Sequence, residues 1–217
     1  MGVINHKKKF IWVWIPKCAG SFFYSHPDFK EADHSKAGGH ETYIELTDFI
    51  KQEDIGSYFT FAFCRNPYSR IVSAFHHFKK WHNFDYYDNF DDFILDNFTG
   101  PDGSLSIQNS KTYKSTYRRN ANGTLIHDDH FRTQSYFVEN DKGLINLDFI
   151  GKTENIPADF NFVCNKLQIE IIENKILNKT EHKPYMSYFE GPSARKKLDI
   201  VNFIYQKDFI NFNYEQV

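Results

Sequence analysis

The chain contains three short apolar runs that have the length and composition of buried β-strands. Residues 10–15 and 58–64 consist almost entirely of aromatic and aliphatic side chains, and residues 147–150 form a third candidate. Pro16 and Pro67 follow the first two runs closely, and proline has no N–H group with which to continue a sheet ladder. The sequence therefore predicts three buried strands.

Apolar residues recur at helical spacing after the second and third strands and again near the C-terminus. This spacing predicts helices over about 68–81, from near Pro157, and over about 193–209. Strands that alternate with helices indicate an α/β fold with a central, mostly parallel sheet flanked by helices. We expect one domain that covers residues 1–217.

Residues 99–129 break the alternation of strands and helices. This segment is polar, contains several glycines and asparagines, and shows little periodicity. An irregular segment of this length is more often a functional lid or insertion than an ordinary connection. We expect an inserted, partly mobile excursion near the functional face of the sheet.

The composition excludes several classes of protein. The 26 Lys and Arg residues against 28 Asp and Glu give a formal charge of −2, which argues against a basic nucleic-acid-binding protein. The three cysteines, Cys18, Cys64 and Cys164, are an odd number and lie far apart, which favours a reducing compartment over a disulfide framework. No stretch approaches the roughly 18 apolar residues of a membrane span.

The first apolar run leads into a segment whose composition suits an anion-binding turn. Residues 15–23 read I-P-K-C-A-G-S-F-F, so a lysine and small residues lie between a strand and the predicted start of a helix. Backbone N–H groups there attract an anion, and Lys17 and Ser21 add a charge and a hydroxyl. The segment lacks the full G-x-x-x-x-G-K-[ST] pattern, and an ordinary strand–turn–helix junction is the alternative.

A second segment of the same kind follows the next strand. Residues 65–75 read R-N-P-Y-S-R-I-V-S-A-F. Arg65 ends the strand at the edge where open α/β sheets bind ligands, and Ser73 lies two turns into the following helix. An arginine fork with a hydroxyl at this separation can bind a phosphate group. The alternative is an arginine that caps local carbonyls and a serine on a solvated face.

Together, the two motifs resemble those of the sulfotransferases that use 3′-phosphoadenosine 5′-phosphosulfate (PAPS). The similarity is to the membrane-type carbohydrate branch, which includes heparan sulfate 2-O-sulfotransferases and bacterial relatives. Residues 15–21 match I-P-K-x-A-G-[ST], and residues 65–75 match R-N-P-Y-x-R-x-V-S-x-[FY]. Residues 147–155 are similar to D-F-I-G-[KR]-x-E-N, and the likeness continues over 204–214. The resemblance implies a P-loop-kinase-like sulfotransferase fold over nearly the whole chain, and it is weakest over about 99–129.

The resemblance assigns roles to residues of both motifs. Lys17 would contact the 5′-phosphosulfate and stabilise charge on the leaving phosphate, and Arg65 and Ser73 would bind the 3′-phosphate. Residues 182–185 resemble a family loop over the nucleotide, which makes Lys183 and Tyr185 weaker cofactor candidates. The turn itself would line the phosphosulfate, mainly with backbone amides, through Cys18 (where the family usually has Thr), Ala19, Gly20, Ser21 and Phe22.

The candidate base is His40. Residues 39–43 look like the G-H-x-x-[YF] segment of the 2-O-sulfotransferases, whose histidine is the catalytic base. Those enzymes have another histidine two residues earlier, where this chain has Gly38, so His40 would act alone. A neutral imidazole, with an ordinary pKa of about 6.5, can accept a hydroxyl proton at neutral pH. A structural histidine is the alternative.

Other polar residues give weaker signals. His130 and Gln134 resemble residues near the acceptor in the family, and Arg118 and Arg119 could help to recognise an anionic glycan. Residues 127–130 contain two histidines at i,i+3 spacing but no third matched ligand, so we expect no metal site.

The resemblance implies an enzyme that transfers the sulfo group of PAPS in line to a hydroxyl group of a carbohydrate or glycoside. The alternatives are a small nucleoside-triphosphate-dependent kinase and a catalytically inactive glycan- or nucleotide-binding module on the same fold. The chain begins almost at its first strand, as bacterial or viral cytosolic relatives would. We therefore expect a cytoplasmic protein, or a Golgi-lumenal one if the sequence is a trimmed piece.

Overall fold

The computed structural model describes residues 2–30, 33, 40–81, 87–106, 128–171 and 182–217. These residues belong to two compact units, Met1–Arg65 with Gln134–Lys179 and Asn66–Thr133 with Thr180–Val217. The predicted α/β class is confirmed, because helices accompany a four-stranded, mostly parallel sheet. The expectation of one domain over residues 1–217 stays a prediction, and most of the predicted excursion lies outside the described residues.

The sheet belongs to the first unit, and its strands are arranged in the order β1–β2–β3–β4. Strand β1 (Val3–Asn5) pairs antiparallel with β2 (Phe10–Val13). Strand β3 (Phe59–Cys64) pairs in parallel with both β2 and β4 (Phe149–Lys152). Because β2, β3 and β4 run in the same direction, their carboxyl ends share one edge of the sheet.

The α-helices of the described residues are, in chain order, α1 (Gly20–Phe23), α2 (Pro27–Lys30), α3 (Tyr43–Thr47), α4 (Pro67–Trp81), α5 (Phe90–Asn97), α6 (Gln134–Val138), α7 (Ile156–Leu167), α8 (Ala194–Ile204) and α9 (Gln206–Asn211). None of these helices is long and apolar enough to cross a membrane.

Aromatic packing fixes the helices of the first unit onto its sheet. The ring of Phe23, from α1, lies 4.3 Å from that of Phe63 in β3. Phe160, from α7, packs against Phe22 and Phe23 with centroid separations of 5.1 and 5.5 Å. The residues of β2 are buried throughout, as expected of a central strand in a largely parallel sheet.

The strands differ from the predicted ones at their ends. Strand β2 ends at Val13, two residues early, because the carbonyl of Trp14 bonds to a side chain instead of a strand. Strand β4 begins at Phe149 because the carboxylate of Asp148 accepts hydrogen bonds from the backbone N–H and hydroxyl of Thr60, at 2.7 and 2.9 Å. Strand β1 was not predicted, since three residues are too few to show a pattern.

The second unit has its own apolar core, built around α4. Phe75 on α4 packs against Phe93 on α5 at 5.2 Å, and Phe93 packs against Phe131 at 5.7 Å. The predicted helix over about 68–81 is confirmed as α4. The helix predicted over about 193–209 is instead two helices that meet at Tyr205, whose buried hydroxyl donates to the carbonyl of Phe131 at 2.9 Å.

A buried lysine organises the segment that precedes α8. The ammonium of Lys197, 1% exposed, lies 2.6 Å from a carboxylate oxygen of Asp91 and donates to the carbonyls of Tyr188 and Glu190 at 2.6 and 3.0 Å. These bonds fix the 3₁₀ turn Tyr185–Phe189. Burial alone would raise the pKa of Asp91, but hydrogen bonds from Lys197 and Ser193 outweigh burial and lower it.

We predict that Asp91→Asn lowers the free energy of unfolding at pH 7 by about 1–2 kcal/mol, because it weakens a charge-assisted bond to a buried ammonium. A carboxylate with a lowered pKa stabilises the fold above about pH 4, and this contribution is lost as the pH falls through the folded-state pKa. The difference in free energy of unfolding between the variant and the unchanged protein should therefore shrink below pH 4. Urea unfolding at several pH values measures this difference.

The matched control is Asp199→Asn, which removes an exposed ion pair with Arg195. That change should cost well under about 1 kcal/mol at any pH. Equal costs for the two variants at pH 7 would contradict the stabilising role of the Asp91–Lys197 pair.

Candidate functional site

The carboxyl ends of β2 and β3 bring parts of the two predicted motifs together. In the parallel register Val13 lies opposite Ala62. The segment after β2 (residues 14–19) and the residue after β3 (Arg65) therefore begin side by side, at the edge where α/β sheets bind ligands.

The backbone of residues 14–19 suits an anion. The φ angles of Lys17 and Ala19 are +66° and +59°, in the left-handed region that residues other than glycine rarely adopt. The amide of Cys18 donates to the carbonyl of Ile15 at 3.3 Å, and α1 starts at Gly20. Left-handed residues in a tight turn, followed by a helix start, form a concave group of N–H donors. Such strain costs about 1–3 kcal/mol per residue and is concentrated at functional sites.

The start of α1 narrows the set of amides that can bind an anion. The amide of Phe22 donates to the carbonyl of Ala19 at 2.9 Å, and its ring packs in the core of the first unit. This differs from the prediction that the amide of Phe22 lines the site. The amides of Ala19, Gly20 and Ser21 stay candidates, because Gly20 and Ser21 precede the first backbone hydrogen bond of the helix.

The turn requires glycine at position 20. A Cβ atom added there would lie 1.8 Å from the indole of Trp14. That indole stacks on Trp12, with centroids 5.2 Å apart and an interplanar angle of 13°, and packs against Tyr24 at 5.7 Å. The close approach of Gly20 thus sets how tightly the turn lies against the sheet.

His40 reaches the same turn. Its Nδ1 lies 3.0 Å from the carbonyl oxygen of Trp14, and the two rings meet edge to face at 5.7 Å. Because a carbonyl oxygen only accepts hydrogen bonds, Nδ1 carries the proton and the neutral ring keeps its lone pair on Nε2. Two residues further on, Thr42 and Glu45 form the capping box of α3, which fixes the local backbone. The contact with Trp14 therefore selects the tautomer of His40 with the proton on Nδ1.

Arg65 connects the two motifs. Its Nη1 donates to the carbonyl of Lys17 at 3.3 Å. Lys17 is 48 residues away in the chain, so this bond is not the contact to local carbonyls given as the alternative, and it places the guanidinium beside the turn. A guanidinium has five N–H donors in a rigid fork, so one side chain can bind both the turn and a phosphate oxygen.

Gln134 differs from its prediction as a substrate-side residue. Its side chain is 0% exposed. Its Oε1 accepts the amide of Arg65 at 2.8 Å and its Nε2 donates to the carbonyl of Arg65 at 2.9 Å. The thiol of Cys18, which is buried and not part of a disulfide, also donates to Oε1 at 3.2 Å. Both polar atoms of the carboxamide therefore form hydrogen bonds within the protein.

The remaining candidates lie in the second unit or outside the described residues. Ser73 is buried in α4, and Lys183 and Tyr185 lie at the start of the turn Tyr185–Phe189. The ring of His130 stacks on that of His77 at 5.3 Å. The roles of these residues stay predictions. The two residues outside the described part are Arg118 and Arg119.

A second pair of stacked imidazoles lies in the same unit. His76 and His182 stack with centroids 5.1 Å apart and an interplanar angle of 13°, and Nε2 of His76 lies 2.7 Å from the hydroxyl of Tyr188. Burial, and secondarily the neighbouring His182, lower the pKa of His76. Within the described residues, no group of three or more His, Cys, Asp or Glu could hold a metal ion. His127 of the candidate cluster lies outside them.

The sequence pattern does not predict a role for Trp14. Its carbonyl holds a histidine 26 residues away in the chain, and its indole lies against Gly20. The only local signal was its place between an apolar run and an anion-binding motif, which does not reveal either contact.

The described geometry defines an α/β protein with a tight turn of left-handed residues after its first parallel strand, and with an arginine and a histidine bound to that turn. The model of the sulfotransferase family matches residues 2–215, and the chain belongs to this family. Its members are enzymes, and they typically use PAPS as the sulfo donor. No curated protein and no solved structure matches the chain.

We predict that Gly20→Ala lowers the free energy of unfolding by about 1–3 kcal/mol, the usual cost of forcing a methyl group into a packed region. The matched control is Gly56→Ala, because a Cβ at position 56 meets nothing within 4 Å. That variant should be neutral or about 0.4–1 kcal/mol more stable. Guanidinium unfolding followed by circular dichroism compares them. Equal stabilities would show that Trp14 moves aside freely.

Proposed function

We propose that this sulfotransferase transfers the sulfo group of PAPS to a hydroxyl group of a carbohydrate or glycoside. The observation that carries the proposal is that His40 and Arg65 bond to the carbonyls of Trp14 and Lys17, and so meet at the short segment of backbone to which Lys17 belongs. The cationic side chains of Lys17 and Arg65 suit PAPS, a sulfo donor with two anionic ends. The imidazole of His40 suits a substrate hydroxyl group that must lose its proton.

The 5′-phosphosulfate end is assigned to the turn. The ammonium of Lys17 and the amides of Ala19, Gly20 and Ser21 supply one charge and a set of backbone donors, and the positive φ angles support this use of the backbone. PAPS supplies a sulfo group whose departure leaves negative charge on the 5′-phosphate. Lys17 stabilises that charge, and charge stabilisation in a preorganised site is commonly the largest contribution to catalysis.

The 3′-phosphate end is assigned to Arg65. Its guanidinium is planar and permanently charged, so it suits a phosphate better than a lysine would. Ser73, and more weakly Lys183 and Tyr185, are assigned to the nucleotide on the basis of the family resemblance alone.

His40 is assigned as the general base that takes the proton from the substrate hydroxyl group. The bond from Nδ1 to the carbonyl of Trp14 leaves Nε2 as the basic nitrogen, and the same bond stabilises the imidazolium that forms when Nε2 accepts a proton. The neighbouring Glu41 is a poorer candidate, because its carboxylate is buried and accepts the amide of Gly2 at 2.8 Å.

The carbohydrate acceptor rests on the resemblance of residues 39–43 to the 2-O-sulfotransferases, with His130, Arg118 and Arg119 as candidate contacts to an anionic glycan. A screen of glycan acceptors with labelled PAPS, read by mass spectrometry, tests this part of the proposal. A sulfated product would also exclude the two alternatives, a kinase and an inactive binding module.

We predict that the protein binds adenosine 3′,5′-bisphosphate (PAP) at least about tenfold more tightly than AMP, which lacks the 3′-phosphate. A charge-assisted contact contributes about 1.5–3 kcal/mol. Arg65→Ala should remove most of this preference, whereas the matched control Arg195→Ala, which changes an exposed side chain, should keep it. Calorimetry measures the six affinities, those of the three proteins for PAP and for AMP. Equal affinities of the unchanged protein for PAP and AMP would refute the assignment.

We predict that His40→Ala binds PAP normally but transfers sulfo groups about 10²–10⁴-fold more slowly, the usual contribution of a general base. The rate of the unchanged enzyme should fall as the pH is lowered, because a protonated imidazole cannot act as a base, and the variant should lack this decline. His6→Ala is the control, because His6 pairs with Tyr58 outside the site. A His40→Ala enzyme that keeps more than about a tenth of the rate contradicts the role.

A further inference from the structure

The end of β3 shows how the position of Arg65 is set. The ladder between β3 and β4 ends with Cys64 opposite Lys152, so Arg65 is the first residue beyond it. The backbone N–H and C=O of Arg65 pair with the carboxamide of Gln134, at 2.8 and 2.9 Å. One side chain therefore continues the ladder by one residue, in place of a neighbouring strand.

The chemistry of the partners fixes the orientation of this carboxamide. A backbone N–H can only donate and a backbone carbonyl can only accept, so Oε1 must face the former and Nε2 the latter. Oε1 then accepts a second bond from the thiol of Cys18, at 3.2 Å. A single buried side chain thus binds both the residue that follows β3 and the turn that follows β2.

We propose that Gln134 is a positioning residue for cofactor binding, which fixes the guanidinium of Arg65 relative to the turn of residues 14–19. This inference rests on the proposed function. The side chain of Arg65 starts from a backbone held by Gln134 and reaches the carbonyl of Lys17. Loss of the carboxamide lets that backbone shift, and a displacement of about 1 Å in a binding site can cost about 10²-fold in rate.

A merely structural role for Gln134 makes a different prediction. Removal of a buried hydrogen-bond partner lowers stability wherever it occurs. It does not by itself change how the folded protein distinguishes PAP from AMP. The ratio of the two affinities therefore separates positioning from stability.

The first test is Gln134→Met, which keeps the length of the side chain and removes its hydrogen bonds. We expect the preference for PAP over AMP to fall at least about tenfold, toward the preference of the Arg65→Ala variant. A fall of about tenfold corresponds to the loss of one charge-assisted contact. The backbone amide of Arg65 should also exchange its hydrogen at least about tenfold faster. Gln52→Met, the same change at an exposed glutamine of the same unit, is the matched control and should alter neither quantity.

The second test uses Cys18 and does not depend on the folding of Gln134→Met. Cys18→Ala removes the thiol, which lies 3.2 Å from Oε1 and 3.7 Å from the carbonyl oxygen of Pro16, whereas Cys18→Ser replaces it with a hydroxyl. We expect Cys18→Ala to lower the preference for PAP and Cys18→Ser to lower it less. An equal loss in both variants would contradict the bond to Gln134 as the cause.

The outcomes distinguish this inference from the proposed function. If Gln134→Met loses stability but keeps the preference for PAP within about twofold of the unchanged protein, less than one charge-assisted contact, Gln134 is only structural. An unchanged hydrogen-exchange rate of the Arg65 amide would contradict the pairing of Gln134 with the backbone of Arg65. If the unchanged protein shows no preference for PAP, the function assigned to Arg65 fails, and the positioning role of Gln134 fails with it.

Discussion

The parallel pairing of β2 with β3 is the constraint on which the candidate site depends. Its register places Val13 opposite Ala62, so the turn of residues 14–19 and Arg65 leave the sheet side by side. A slip by one residue would turn every side chain of β2 to the other face of the sheet and would separate the two motifs. The aromatic packing around Phe23 and Phe63 makes such a slip costly, because both faces of these strands are buried.

The site is organised mainly by contacts to the main chain. His40 bonds to the carbonyl of Trp14, Arg65 to that of Lys17, and Gln134 to both backbone groups of Arg65. Backbone groups just past a strand end lack sheet partners and must be satisfied by other means when they are buried. The side chains of the candidate site therefore supply the bonds that the sheet does not, and the same bonds fix their positions. This explains how a four-residue helix and a short turn can hold a precise arrangement.

Local pattern determined how far the sequence could predict this structure. Helix α4 was predicted closely because its apolar stripe is long and a proline marks its start. The split of the last helix at Tyr205 depends on a hydroxyl bound to Phe131, 74 residues away in the chain. Motif residues such as Lys17 and Arg65 could be proposed as site candidates by type and spacing, and their roles stay predictions. The partners of Gln134 could not, because a contact across 69 residues and the depth of a side chain leave no periodic signal.

The stack of Trp12 on Trp14 gives the site an optical signature. The chain has three tryptophans, and these two lie in or directly after β2, with the second against Gly20 and His40. Indole emission responds to nearby imidazole charge and to changes in ring contacts. Intrinsic fluorescence therefore reports on the contacts of the turn itself, in solution and without an added label.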